Sequence, residues 1–414
     1  MGYFDYRDRE LFVEDVSIKT MVADVGTPVY IYSQNAILDQ IKHYEEAFSK
    51  LNHITCYALK ANSNSAILNL VARNGLGGDI VSGGELYRAL KSGIPAHRIV
   101  YSGVGKTEEE LMYALAEGIL MINCESPQEL DQINSIAQKM GQKAPIALRV
   151  NPDIDAYTHP YISTGLKKNK FGISIEEAKR EYRRARDLDF INIIGVHLHI
   201  GSQIIELSPF QEAFDRIGRF IEELLDEGIT LHYLDIGGGI GIRYKDEKPP
   251  HISNLANLIA PFAKKIGCSI ISEPGRIIVG NAGILVTRVL YRKNTPEKRF
   301  IIVDAAMNDL LRPSIYSAYH EVRSVVNNNS IEEDYACDIV GPICESGDFL
   351  AKDRMLPPLY KDDLLAIMSA GAYGFSMSSN YNSRLRPPEI MVHKDTYTII
   401  RQRETYEDLV RLEC

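Results

Sequence analysis

The sequence has no excess of positive charge. Its 46 lysines and arginines are outnumbered by 55 aspartates and glutamates, which gives a formal net charge of −9. Proteins that bind nucleic acid neutralise phosphates with clustered basic side chains. We therefore predict no nucleic-acid partner.

Long apolar segments are also missing. The opening residues MGYFDYRDRE carry charges where a signal peptide needs an apolar stretch, and no later stretch approaches the length of a membrane span. We therefore expect a cytoplasmic location and no membrane partner.

Cysteine is scarce and scattered. The six cysteines stand at positions 56, 124, 268, 337, 344 and 414. No paired spacing suggests a disulfide framework or a zinc site. We expect free thiols and no bound metal.

What is present, from about residue 34 to 276, is an alternation of short apolar runs with amphipathic, helix-period stretches. This pattern is typical of parallel strands joined by crossover helices. The eight predicted strands are ITCYALK, GDIVS, IVYSG, LMINCES, IALRVNP, INIIGVHLHIGS, LHYLDIGGG and CSIISEPGR. Eight such units predict an α/β TIM barrel over residues 34–276. An open doubly wound sheet is the competing architecture, but no G-x-G-x-x-G motif opens the first crossover helix.

The remainder of the chain predicts an all-β domain. After about residue 280 the strand-like segments GILVTRVLY, RFIIVDAA, ACDIVGP and YTIIRQRE are broken by Pro, Gly and Asn clusters. GTPVYIYS at 26–33 is also strand-like and precedes the barrel. We therefore assign residues 1–33 and 277–414 to one β-domain that takes in the N-terminal strand.

Polar residues gather at the C-terminal ends of the predicted barrel strands, where barrel active sites form. They are Lys60, Asp79, Ser82, Arg149, Asn151, His199, Ser202, Gly237 to Gly239 and Glu273. A lysine at a strand end is usually a solvated head on an apolar stem. At a buried barrel mouth, desolvation would instead lower its pKa and make the amine a nucleophile suited to Schiff-base chemistry.

Each neighbouring motif allows two interpretations. The triple glycine that starts at Gly237 could cradle a phosphate or make a tight turn. His197 and His199 alternate on one predicted strand, so they could be a metal pair, a ring-stacking imidazole or core histidines. Glu273 could keep a pyridine nitrogen protonated or pair with Arg276.

Several motifs occur in a fixed order along nearly the whole chain. They are GTPVYIYS, YALKAN, DIVSGGEL, RVNP, THPYISTGLKKNKFG, HIGSQ, LDIGGG, EPGR, MNDLLRPSIY, CESGD and GAYGFSMSSNYNSR. In this order they resemble the motifs of the fold-type III pyridoxal-phosphate decarboxylases, and among them those that act on diaminopimelate.

The resemblance implies pyridoxal 5'-phosphate as the cofactor, held by a Schiff base to Lys60. His199 would stack on the ring and Glu273 would partner the pyridine nitrogen. The further cofactor-binding residues that we expect are Asp79, Arg149, Ser202, Gly237, Gly238, Gly239, Gly275, Arg276 and Tyr373.

The resemblance also implies that the active form is a homodimer with two shared sites. Cys344 would return a proton to the substrate's α carbon, and Glu345 would meet the distal amine. Both residues would reach in from the partner subunit. The β-domain would therefore contribute substrate-site and dimer contacts.

The substrate expected from the resemblance is meso-2,6-diaminopimelate, converted to L-lysine and carbon dioxide as the last step of lysine biosynthesis. Its distal carboxylate needs a cationic fork, which Arg312, Tyr316 and Arg276 could supply, with Tyr373 also in the substrate site. Ornithine or lysine would leave a guanidinium without its carboxylate.

Two alternatives stay open. The first is a decarboxylase of a related basic amino acid, such as ornithine, lysine, arginine or carboxynorspermidine. The second is a non-catalytic pyridoxal-phosphate carrier, which we expect to lack the lysine, the cysteine or the second domain. An amino-acid racemase shares the barrel, but the resemblance places an arginine against the ring nitrogen there, so Glu273 argues for decarboxylation.

Overall fold

The computed structural model describes residues 2–155, 165, 169–327 and 334–414. Part of the motif THPYISTGLKKNKFG therefore lies outside the described residues. The chain divides into two compact units. The first, here the β unit, contains Met1–Gln40, Arg243–Glu247 and Ile278–Cys414, and the second, the barrel unit, contains Ile41–Ile242 and Lys248–Ile277.

The barrel unit contains a closed ring of parallel strands. In the part of the chain that the structure describes, the ring has eight strands: His53–Ala58, Gly77–Ile80, Ile99–Tyr101, Met121–Cys124, Ala144–Asn151, Ile191–His197, Tyr233–Asp235 and Ser269–Ser272. Each strand pairs with the next, and the eighth pairs with the first through Ile271 and Ile54. The predicted TIM barrel is confirmed.

Amphipathic helices connect the barrel strands. They span Ser65–Arg73, Gly83–Lys91, Glu108–Glu117, Pro127–Met140, Ile175–Arg186, Ser208–Asp226 and Ile252–Ile266, and a further helix, Gln34–Phe48, precedes the first strand. All of these helices except Ser208–Asp226 begin at a side chain that accepts a backbone N–H group. Thr107, for example, forms a reciprocal capping box with Glu110. Such caps fix where each helix leaves its loop.

Apolar side chains from six strands fill the inside of the ring. Cys56, Val100, Met121, Ala147, Ile194 and Ile271 form one buried cluster. Strands on opposite sides of a closed sheet can share a cluster only in its interior, so the barrel is a packed core rather than a pore.

Several barrel strands end earlier than the sequence predicted. The sixth ends at His197 rather than Ser202, and the seventh ends at Asp235 rather than Gly239. The polar and glycine residues that follow bond side chains and loops instead of continuing a ladder. Lys60 likewise lies just past the first strand, in a short 3-10 turn over Leu59–Ala61.

The β unit contains a large mixed sheet. Its strands are Val29–Ser33, Gly283–Asn294, Arg299–Val303, Val322–Ser324, Tyr335–Val340, Phe349–Leu356, Leu364–Ile367, Glu389–His393 and Thr396–Arg401. Val29–Ser33 pairs with both Gly283–Asn294 and Glu389–His393. The prediction that the N-terminal strand joins the C-terminal sheet is therefore confirmed.

The described part of the β unit also contains a smaller antiparallel sheet and several short helices. The small sheet consists of Phe4–Arg7, Glu10–Val13 and Val16–Ser17, and the α-helices span Ile18–Val25, Arg312–Tyr316 and Tyr406–Val410. One more α-helix, Arg276–Val279, crosses the boundary between the two units along the chain. Buried apolar residues such as Leu11, Ile18, Ile31, Ile284 and Ile390 join both sheets in one core.

All six cysteines are free, and only Cys344 and Cys414 are exposed. Among the described residues, no helix is both long and apolar enough to cross a membrane.

Candidate active site

Lys60 and Glu273 follow neighbouring barrel strands, the first and the eighth. The Ala58 N–H donates to the Pro274 carbonyl over 3.0 Å, which joins the two strand ends. A Cβ placed on Gly275 would lie 3.0 Å from the Ala61 Cβ, so the EPGR turn packs closely against the turn that carries Lys60. The predicted lysine and carboxylate are therefore held on one rigid edge.

Asp79, at the end of the second strand, is the ion-pair partner of Lys60. Its Oδ2 lies 2.7 Å from Lys60 Nζ, and its side chain is fully buried. Burial, followed by the charge of Glu273, raises the pKa of Asp79 to about 7, although Lys60 acts in the opposite direction. The carboxylate therefore depends on the amine to remain charged near neutrality.

Glu273 is buried and contacts polar side chains at the ends of two other strands, the third and the sixth. Ser102 Oγ donates to its Oε1 over 3.2 Å, and His197 Nε2 lies 3.6 Å from the same oxygen. Burial raises the pKa of Glu273, but His197, Lys60 and His199 together lower it by more, so the net direction is down. Glu273 is therefore an ionised carboxylate inside the barrel.

Asp235 is the second buried carboxyl group of this cluster. Its Oδ2 accepts from Asn123 Nδ2 over 3.1 Å, and its Oδ1 accepts from the Gly237 N–H over 3.0 Å. Burial and the charge of Glu273 raise the pKa of Asp235 well above its ordinary value. The pKa values of these two carboxyl groups are therefore shifted in opposite directions, upward for Asp235 and downward for Glu273.

His197, Asp235 and Glu273 offer ligand atoms that all lie within 4.8 Å of one another. Burial lowers the pKa of His197, against the opposing effect of Glu273. The two histidines of the H-x-H pattern take different environments, because His199 Nδ1 accepts the Gly238 N–H over 3.1 Å. They are not brought together as a pair of ligands in this group.

The triple glycine occupies positions where a side chain would clash. A Cβ on Gly237 would lie 2.6 Å from His199 Nδ1, and one on Gly238 would lie 2.2 Å from the Glu273 carbonyl oxygen. The N–H groups of Gly237 and Gly238 bond Asp235 and His199, as described above. Of the three amides, only that of Gly239 has no acceptor among the described residues.

Arg276 and Ser202, two of the residues predicted to bind the cofactor, contact each other. Arg276 Nη2 donates to Ser202 Oγ over 2.9 Å, which places a guanidinium beside a hydroxyl.

Arg149 forms an ion pair of 2.7 Å with the buried Glu125, and its guanidinium lies 4.7 Å from the centre of the Phe171 ring. Arg149 is thus held by protein groups at the end of the fifth strand.

The donor set of the barrel unit fits pyridoxal 5'-phosphate. It provides an amine at Lys60, an ionised buried carboxylate at Glu273 and an imidazole at His199. The Arg276 and Ser202 pair and the side-chain-free glycines suit a phosphate dianion. These are the groups that such a cofactor requires of a protein.

The remaining predicted residues belong to the β unit. Arg312 is buried at the start of its short helix, Tyr316 ends that helix, and Tyr373 has a left-handed φ of 55°. Cys344 and Glu345 are exposed. The Tyr381 hydroxyl donates to Glu345, so this carboxylate is positioned although it is exposed.

Sequence reasoning missed the residues behind Glu273. Asn123 Nδ2 lies 3.1 Å from Ser102 Oγ, which links Ser102 to Asp235. All three are buried polar residues inside predicted strands, and the structure places each within one residue of the end of an observed strand. That position, with an apolar run before it, is the signal that could have revealed them.

The chain matches both a protein-family model and individual known proteins. Residues 34–280 match the family model "Pyridoxal-dependent decarboxylase, pyridoxal binding domain". Over 409 residues the chain is 51% identical to diaminopimelate decarboxylase of Aquifex aeolicus, covering 99% of this chain and 96% of that one.

The chain belongs to the diaminopimelate decarboxylase family. Solved structures agree with this assignment. The M. jannaschii diaminopimelate decarboxylase in complex with L-lysine gives a TM-score of 0.95 at 39% identity and covers 100% of this chain and 98% of its own. The Helicobacter pylori enzyme, also with L-lysine, gives 0.92 at 46% identity and covers 95% and 98%. Membership of this family confirms pyridoxal phosphate as the predicted cofactor.

Proposed function

We propose that the protein decarboxylates meso-2,6-diaminopimelate to L-lysine and carbon dioxide, the last step of lysine biosynthesis, in the cytoplasm. The observation that carries this proposal is the placement of an amine, Lys60, and an ionised buried carboxylate, Glu273, at neighbouring strand ends of a barrel from this family. Relatives named diaminopimelate decarboxylase and solved with L-lysine support this substrate and this product.

Pyridoxal phosphate, when bound, supplies an electron sink that makes loss of carbon dioxide from an α carbon possible. Glu273 is the group that would hold a proton on the ring nitrogen. Its low pKa suits this role, because an ionised carboxylate favours the protonated nitrogen beside it. Ser102 donates to Glu273 and fixes its orientation.

Lys60 would attach the cofactor through Nζ and release it when the substrate amine takes its place. Asp79 lies at hydrogen-bond distance from the same nitrogen. With a pKa raised to about 7, Asp79 can exchange a proton with that nitrogen near neutral pH. His199 would cover the ring.

Phosphate binding would use the Gly239 N–H together with Ser202, Arg276 and the Tyr373 hydroxyl. The Gly237 and Gly238 amides bond protein groups instead, so their part is to shape the turn. We assign Arg149 an indirect part, because its guanidinium is paired with Glu125.

Substrate selection would rest on Arg312. Diaminopimelate keeps one carboxylate, which becomes the α-carboxylate of L-lysine, and a guanidinium can bind it in a bidentate manner. Tyr316 and Arg276 would add donors to this carboxylate. Glu345 would bind the neighbouring amine, with Tyr373 also in contact with substrate.

Cys344 would return the proton to the α carbon after carbon dioxide leaves. We place it in the site of a second copy of the chain, which its exposed position beside Glu345 allows. The active form proposed is therefore a two-fold homodimer with two shared sites.

The test is turnover by purified protein loaded with pyridoxal phosphate. Release of carbon dioxide from meso-diaminopimelate, with L-lysine formed in equal amount, is the expected result. Release from L-ornithine or L-lysine without release from diaminopimelate would contradict the proposal.

A further inference from the structure

Arg312 is held by two aromatic side chains of the β unit. Its Nη1 lies 2.8 Å from His320 Nε2, and its guanidinium carbon lies 4.6 Å from the centre of the Tyr244 ring. The rings of Tyr244 and His320 meet edge to face, with centroids 5.3 Å apart. The guanidinium therefore has a fixed plane.

The direction of the hydrogen bond follows from the chemistry of the partners. Arginine has only donors, so His320 Nε2 must accept from it. The other ring nitrogen, Nδ1, lies 2.8 Å from the Met368 carbonyl oxygen, which can only accept. His320 is therefore the neutral tautomer with its proton on Nδ1.

The backbone fixes the imidazole in this orientation. His320 is fully buried, and Met368 follows the strand Leu364–Ile367 of the large sheet. The Met368 N–H in turn donates to the Glu321 carbonyl over 2.8 Å. The end of this strand therefore fixes the orientation of the His320 ring that contacts Arg312.

We propose that His320 is a positioning residue that sets the substrate specificity, because its Nε2 aims the Arg312 guanidinium at the carboxylate that diaminopimelate and L-lysine share. This inference rests on the proposed role of Arg312. His320 accepts one N–H of the Arg312 guanidinium. This bond fixes the plane of the guanidinium in an orientation suited to a planar carboxylate.

Two amide substitutions separate the two bonds of His320. His320→Asn places its amide near the position of Nδ1 and can bond Met368, but it is too short to accept from Arg312. His320→Gln places its amide near the position of Nε2 and keeps the acceptor. Both variants remain polar and close in size to histidine, and retained cofactor absorbance establishes that each has folded.

The experiment measures the affinity of the pyridoxal-phosphate-loaded protein for L-lysine and for 1,5-diaminopentane, which lacks the carboxylate. Each ligand is titrated against the visible absorbance of the bound cofactor. The wild type should bind L-lysine more tightly. His320→Asn should weaken L-lysine roughly ten- to hundredfold, leave diaminopentane within about twofold, and raise the KM for diaminopimelate more than it lowers kcat.

His320→Gln should keep most of the wild-type preference for L-lysine. Equal losses for both ligands in the Asn variant would show a merely structural role, and an unchanged preference would also overturn the inference. A wild type that binds both ligands equally would instead remove the Arg312 clamp itself, so failure of the proposed function is distinguishable.

Discussion

Asp79 Oδ2 lies 2.7 Å from Lys60 Nζ; the Asp79 side chain is fully buried, while 35% of the Lys60 side chain remains exposed. The lysine side chain is thus partly exposed, and the carboxylate that pairs with it is buried. This arrangement keeps the amine oriented and lets a proton pass to a buried acid, as exchange of one amine for another requires.

Lys60→Ala should abolish both the visible absorbance of the lysine-bound cofactor and turnover, because no other amine replaces Nζ at this strand end. Absorbance spectra before and after borohydride treatment measure the link. Lys50→Ala, which changes an exposed lysine before the same strand, is the matched control and should behave as wild type. Wild-type absorbance and turnover in Lys60→Ala would remove Lys60 from this role.

Asp79 should make the cofactor-free protein less stable as the pH rises. Its pKa is raised from 3.8 to about 7 in the folded state, so between these values the native state binds more protons than the unfolded state. The free energy of unfolding therefore falls with rising pH in this window. Asp79→Asn has no carboxyl group that titrates at this position. Its free energy of unfolding relative to that of the wild type should therefore increase from pH 4 to 7.

Urea unfolding of both proteins across this range measures the difference. A relative stability that stays flat, or that falls with rising pH, would contradict a raised pKa at Asp79.

Glu273→Gln should lower kcat on the order of 100-fold, the usual scale for loss of one electrostatic group at a reacting centre. The amide keeps the shape and can accept from Ser102, but it cannot stabilise a protonated ring nitrogen. Steady-state kinetics with diaminopimelate measure this effect. Glu117→Gln, at an exposed helix end, should leave kcat unchanged. Equal kcat values for both variants would place the ring-nitrogen partner elsewhere.

Shared sites predict that two inactive chains can rescue each other. Lys60→Ala and Cys344→Ala homodimers should each be inactive, but a mixture should recover about a quarter of wild-type activity, because half of the dimers are hybrids with one intact site. Subunit exchange is verified with two affinity tags. No recovery on verified exchange would show that both residues serve the site of one chain.

The barrel could be predicted from sequence because each strand is a local apolar run and each helix a local periodic pattern. The strand ends were less accurate. INIIGVHLHIGS is apolar through Ile200, yet the strand ends at His197, opposite Asp235, where the neighbouring seventh strand also ends.

Lys60 and Glu273 could be predicted because both lie at strand ends, within the motifs YALKAN and EPGR. The groups that orient Glu273 and His320 could not, because they come from distant parts of the chain. Ser102 and Glu273 are 171 residues apart in sequence, and the Met368 carbonyl that orients His320 lies 48 residues beyond it. Tyr244 shows the same limit: it lies in sequence between two barrel segments but belongs to the β unit.

The central claim is that this protein decarboxylates diaminopimelate in preference to amino acids without a distal carboxylate. The most direct measurement is kcat/KM for carbon dioxide release from meso-diaminopimelate, L-lysine and L-ornithine, in wild type and Arg312→Ala, with Arg292→Ala as an exposed control. Wild type should use diaminopimelate alone, Arg312→Ala should lose about 1.5–3 kcal/mol of transition-state stabilisation with it, and Arg292→Ala should match wild type. Comparable wild-type turnover of L-ornithine, or an unchanged value in Arg312→Ala, would contradict the account.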